Sequence, residues 1–168
     1  MFKLNKGLKK LALVASVAML PSFLQAEEWK FAIEEIPGSI MDAYAQEFKR
    51  KIEAKTDGEI TVNVFPLGSL GTPTQLIEQT SYGVVHFANV SVGNLGTIVP
   101  ESQLFLLPYA LPSESSAISS MLSSSKVIYN ELGNDFINRG LKLHTMYSEG
   151  PQVWTTNKEV RKPDDLDK

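Results

Sequence analysis

Two histidines, no cysteine and no serine in a nucleophile-elbow motif leave little from which to build a catalytic centre. His86 and His144 each fall at alternate positions of stretches that read as strands, and neither has a carboxylate at metal-ligand spacing. The reading they support is a strand histidine with its hydrogen bonds satisfied. Gly68-Ser69-Leu70-Gly71 lacks the Lys-Ser/Thr of a phosphate loop and is not a GxGxxG turn, so it serves to turn the chain. Asp164-Asp165 reads as a charged surface turn rather than a metal site. Asn89-Val90-Ser91 matches a glycosylation sequon but lies in an apolar stretch expected to be buried.

What remains is a set of polar residues at the carboxyl ends of expected strands. Glu34 and Glu35 follow the first. Asn89, Ser91 and Asn94 follow the third. Glu149, Gln152 and Trp154 follow the fourth. In open α/β sheets, ligands bind in the crevice outside those ends. A tryptophan with a glutamine beside it suits a small polar ligand that has an apolar part.

The elements that must position these residues follow from periodicity. Residues 29–33 (WKFAI) read as a strand, and Pro37-Gly38 marks a turn. Ser39 is placed to cap a helix over about 40–55, where Met41, Tyr44, Ala45, Phe48 and Ile52 recur at helical spacing. Asp57-Gly58 ends it. Residues 59–65 (EITVNVF) alternate as a strand, and 66–73 form a glycine-rich turn. A helix is expected over 74–80, with Leu76 and Ile77 inward and Gly83 as its stop. Residues 84–92 (VVHFANVSV) read as a buried central strand. Pro108 keeps 104–111 (LFLLPYAL) from being a central strand, so it is expected as buried loop packing. The serine-rich stretch 113–125 still fits a helix face at Ile118, Met121 and Leu122, and a helix continues over about 124–139. Residues 141–146 and 152–156 read as a fourth and a fifth strand. Strands alternating with helices predict βαβ units, a mostly parallel sheet and an α/β domain.

The amino end reads as an export leader. Lys3, Lys6, Lys9 and Lys10 precede an unbroken apolar run over 11–20, Pro21 breaks it, and a small residue follows at Ala26. The run is too short to span a membrane, which takes about 20 residues. Residues 1–26 are thus expected to be a cleaved signal peptide and 27–168 the exported domain. Losing four lysines takes the net charge from −3 to −7, which argues against nucleic acid as a partner. With no cysteine, neither a lipid anchor nor a disulfide is expected.

In this order, the motifs resemble the solute-binding proteins of tripartite ATP-independent periplasmic (TRAP) transporters, of the DctP type. The matching stretches are WKFAI and the helix leading into Thr56-Asp57-Gly58-Glu59-Ile60. They continue through Val64-Phe65-Pro66-Leu67-Gly68-Ser69-Leu70-Gly71, Leu107-Pro108-Tyr109, Thr155-Thr156-Asn157-Lys158 and Pro163-Asp164-Asp165-Leu166. The resemblance implies a two-lobed, type II-like periplasmic binding protein that closes on a small organic acid and delivers it to membrane permease subunits. It implies no catalysis, cofactor or metal. Residues 27–168 would be the first lobe, with most of the second lobe and a carboxylate-anchoring arginine beyond Lys168, so weak solute affinity and exposed apolar interface are expected of this chain.

By the same resemblance the ligand contacts fall on Glu34, Ser91, Gln152 and Trp154, with Glu35, Asn89, Asn94 and Glu149 beside them. Gln152 stands where the family often has arginine, which points to a less charged or more aromatic solute. Glu34 points to an amine or hydroxyl on it. The alternatives are a periplasmic enzyme on an α/β scaffold and a structural or adaptor domain.

Overall fold

A computed structural model describes residues 26–151 and 155–166. At its centre is β1 (Glu27–Ile33), which ends in a continuous apolar run, Phe31-Ala32-Ile33, buried on both faces. It is followed by α1 (Ile40–Lys55), β2 (Ile60–Phe65), α2 (Pro73–Ser81) and β3 (Phe87–Asn89). The sheet order is β2-β1-β3, and both pairings are parallel. This is the expected α/β architecture.

Alternation along β1 divides the core in two. Phe31 and Ile33 face α1 and pack with Met41, Ala45 and Val62, flanked by Phe48, Ile52 and Phe87. Ala32 points the other way, against Leu76 and Val85. Helices therefore cover both faces, as a parallel sheet requires.

The helices begin where local chemistry satisfies their free N–H groups. The Ser39 hydroxyl accepts from Asp42 N at 3.1 Å, and the Asp42 carboxylate accepts from Gly38 N at 2.8 Å. Thr72 and Gln75 form a reciprocal capping box at α2, with Pro73 at its first position. Gly71 leads into that box at φ +128°, and a Cβ there would come within 2.6 Å of the Gln75 side-chain oxygen. Only glycine suits that position.

From residue 84 onward the structure departs from expectation in four places. The strand expected over 84–92 is reduced to Phe87–Asn89, which pairs with β1 from Phe31 to Ile33, while His86 N–H donates to the Lys30 carbonyl at 3.1 Å just ahead of it. Val84 and Val85 instead donate back to the Gln79 carbonyl at the end of α2. Past Asn89 the chain bends into a short helix, α3 (Val92–Leu95).

The apolar stretch 104–111 is largely exposed rather than buried. A 3-10 helix over Pro100–Leu106 repeats every three residues, so buried Ser102 and half-buried Phe105 share its inner edge. Leu104, Leu106 and Leu107 lie outside at 58%, 54% and 56% exposure, and Tyr109 is fully exposed.

The helix expected to run on over 124–139 is broken. α4 (Ser115–Ser124) ends at Ser125, whose backbone is extended and whose hydroxyl accepts from Ile128 N. A π-helical turn (Val127–Leu132) then leads into α5 (Gly133–Ile137).

Residues 141–146 form no strand. No ladder hydrogen bond joins them to the sheet, and side chains tether them instead. Most of the expected fifth strand, 152–154, lies outside the described residues. Thr155 and Thr156 are irregular, and Pro163–Leu166 forms a final 3-10 turn. No helix among the described residues is long and apolar enough to cross a membrane.

Candidate solute site

Backbone hydrogen bonds close the carboxyl end of the sheet. Glu34 N–H donates to the Asn89 carbonyl at 3.3 Å, joining the ends of β1 and β3. Leu67 N–H donates to the Glu35 carbonyl at 2.9 Å, which ties the turn after β2 to the same edge. Glu34 and Glu35 are thereby fixed where the strands stop, each half-buried.

A side-chain network is built on that frame. The Asn94 amide donates to Glu34 Oε2 at 2.9 Å and to Ser91 Oγ at 3.2 Å. The Asn89 amide donates to the Tyr147 hydroxyl at 2.6 Å. The Tyr147 ring stacks on Tyr44, with centroids 5.4 Å apart and planes 13° from parallel. Behind these groups is a cavity of about 730 Å³ between the sheet and the segment 141–149. Its wall includes Tyr44, Asn89, Ser91, Tyr147 and Glu149, with Phe31 and Phe87 among the apolar lining.

The structure therefore brings Glu34, Ser91 and Asn94 together directly, and of the expected residues it places Ser91, Asn89 and Glu149 on the cavity wall. Glu35 stands beside Glu34 at the sheet edge. Gln152 and Trp154 lie outside the described residues.

The electrostatics are acidic. Burial raises the pKa of the Glu149 carboxyl above the ordinary glutamate value, and the charges of Glu35 and then Glu34 raise it further. Burial also raises the Tyr147 phenol, which the Asn89 hydrogen bond partly offsets. Among the described residues, no ion pair involves Glu34, Glu35 or Glu149. No group of three or more His, Asp or Glu side chains is arranged to hold a metal there.

Tyr44 and Tyr147 are the residues that sequence reasoning missed. Tyr44 was expected on the buried face of α1, but it is 40% exposed. It lies in the first turns of the helix after β1. In a βα unit that end of the helix lies beside the carboxyl end of the strand, which is the signal that could have found it. Tyr147 stands two residues before Glu149, immediately after the stretch 141–146 that reads as a strand.

The histidines serve the sheet. His86 Nδ1 accepts from Lys30 N at 3.1 Å, and its ring stacks on Trp29. His144 packs against Phe87 at 5.7 Å; burial, and then the Lys142 charge, lower its pKa.

Residues 31–168 match the family model of bacterial extracellular solute-binding proteins, family 7, DctP. The chain belongs to that family. It is 37% identical over 143 residues to the ectoine/5-hydroxyectoine-binding periplasmic protein UehA of Ruegeria pomeroyi, a match covering 85% of this chain and 42% of UehA. It is 34% identical over 142 residues to the ectoine-binding periplasmic protein TeaA of Halomonas elongata, covering 84% of this chain and 41% of TeaA. The solved structure of the periplasmic ectoine-binding protein from the TeaABC TRAP transporter of that organism superposes with a TM-score of 0.78 at 33% identity. That superposition covers 84% of this chain and 45% of the other. This DctP-family chain thus spans about two fifths of the length of the relatives it matches.

Proposed function

We propose that this chain belongs to the periplasmic solute-binding component of a TRAP transporter, which captures a small organic acid and hands it to membrane permease subunits. In this reading residues 1–26 are the export leader and 27–168 the first lobe, and the protein is not an enzyme. The sequence pattern at the amino end and the periplasmic relatives support that location.

Within the organic acids, the reading is a compact zwitterion of the ectoine class, carrying a carboxylate on a ring with a delocalised positive charge. The observation that carries it is the Glu34 carboxylate. It is half-buried, is held in place by Asn94 and makes no ion pair among the described residues. A carboxylate taken partly out of water attracts a cationic N–H more strongly than one at the open surface. Glu35 and Glu149 add negative potential of the same sign, and Ser91 and Asn89 offer neutral hydrogen-bonding groups. A dianionic solute would meet repulsion here. Two relatives above 30% identity bind ectoines, which supports the same class.

The test is NMR titration of the mature chain with ectoine, 5-hydroxyectoine, a C4-dicarboxylate and a hexuronate. Chemical-shift changes register even millimolar affinity. The ectoines are expected to shift Glu34, Ser91 and Glu149 at the lowest concentration, and Glu34→Gln to weaken them about tenfold, as loss of a charged hydrogen-bond partner does. A lower saturating concentration for the C4-dicarboxylate, or no effect of Glu34→Gln, would overturn the assignment.

A further inference from the structure

We infer that Tyr147 is a positioning residue of the solute site: it latches the irregular segment 142–151 to the sheet and so holds Glu149 on the cavity wall with Asn89 and Ser91. The inference rests on the site proposed above. It assigns a role to a residue that does not itself need to touch the solute.

Among the described residues, 142–151 make no main-chain to main-chain hydrogen bond. Two tyrosines take over that task. The Tyr129 hydroxyl donates to the Leu122 carbonyl at 2.5 Å and accepts from Met146 N at 3.0 Å, which pins the segment to α4. Tyr147 pins it to the other side. Its hydroxyl accepts from Asn89 at the end of β3, and its ring lies on Tyr44 near the start of α1. The His144 contact with Phe87 lies upstream of both.

Glu149 comes only two residues after this latch, and two residues of chain span at most about 7 Å. Past Tyr147, the only hydrogen bond described within 148–151 is local, from Gly150 N to Ser148 Oγ. Glu149 nevertheless lines the cavity with Asn89, Ser91 and Tyr147, where burial, and then the charges of Glu35 and Glu34, raise its pKa. Like charges oppose that placement. The mutual repulsion pushes Glu149 outward, and the contacts of Tyr147 oppose it. The geometry thus makes the placing of the Glu149 carboxylate on the cavity wall conditional on the Tyr147 phenol, and solute selectivity with it.

The experiment follows the Glu149 carboxyl by carbon-13 NMR through a pH titration of the solute-free chain. In the wild type it titrates above an ordinary glutamate. Tyr147→Ala should bring it back to the ordinary value. Tyr147→Phe, which keeps the stacking and loses the Asn89 bond, should bring it part of the way. Asn89→Ala should match Tyr147→Phe. A merely structural loss would lower the melting temperature without moving this titration. An unchanged Glu149 titration in Tyr147→Ala and Asn89→Ala, with the amide spectrum of the sheet intact, would sink the inference. If the wild type responds to no organic acid, the transport reading falls, while the titration still decides the latch. Where solute binds, Tyr147→Ala and Glu149→Gln should weaken it non-additively, because both remove the same group from the site. Additive losses would count against the latch.

Discussion

The two halves of the described chain are held together by different means. From Glu27 to Asn89, the main chain does the positioning. Strand ladders, helix caps and two apolar layers determine where each residue lies. From Val90 onward the helices are short and broken, and residues 142–151 depend on the hydroxyls of two tyrosines. The candidate site lies across the seam. Glu34 and Glu35 come from the first half and are rigidly placed by the backbone, whereas Glu149 comes from the second and is placed by side chains. A single substitution therefore reaches the two sets of carboxylates very differently.

The largest expected effect lies in the first half. Ile33 is fully buried between β1 and α1, immediately before Glu34. Ile33→Ala should destabilise the fold by about 3 kcal/mol, through lost burial and the cavity left behind. Urea denaturation followed by circular dichroism measures it. A loss below about 1 kcal/mol would mean that the sheet half is loosely packed and that the contrast between the halves is false.

A smaller effect is expected in the second half. Tyr129→Phe removes the hydroxyl that bridges Leu122 and Met146, at a cost of about 1–2 kcal/mol from the two half-buried partners left unpaired. Its signature is regional. Hydrogen exchange should rise at the Met146 amide, which loses its acceptor, and stay unchanged in β1 and β2. Exchange that rises equally in both halves would show one cooperative unit instead of two kinds of tether.

The same contrast explains which parts of the fold were legible beforehand. α1 falls where it was expected, over Ile40–Lys55, because its signals are local: Ser39 at the start, Asp57-Gly58 at the end and an apolar face at helical spacing. β1, β2 and α2 agree with expectation to within a few residues for the same reason. The stretches 84–92 and 141–146 failed because strand-like composition does not say whether a neighbouring strand has free partners. The stretch 104–111 failed because apolar content was taken for burial, while the three-residue period turned the leucines outward. Within the candidate site, the grouping of Glu34, Ser91, Asn89 and Asn94 at the carboxyl end of the sheet follows from one rule about strand ends. Tyr44 and Tyr147 could not, since their role comes from a contact between residues far apart in sequence.

The subtlest expected effect concerns pH. Glu149 has an ordinary value of 4.5 in the unfolded chain and a raised one in the fold. The folded state therefore binds more protons than the unfolded state between those two values. Stability must then fall as pH rises through that window, and stay level above it. The carboxyl is largely open to water, so screening keeps the slope shallow, below the effect of Tyr129→Phe. Glu149→Gln removes the titrating group and should flatten the stability curve across that window, with a slightly higher melting temperature near neutral pH. Melting curves taken at half-unit pH steps on both proteins measure it. A wild-type curve that climbs with pH across the window, with Glu149→Gln climbing in parallel, would mean that Glu149 is not held on the cavity wall within reach of the Glu35 and Glu34 charges. The second half would then leave the site without the Glu149 carboxylate, and the two halves would differ in regularity alone.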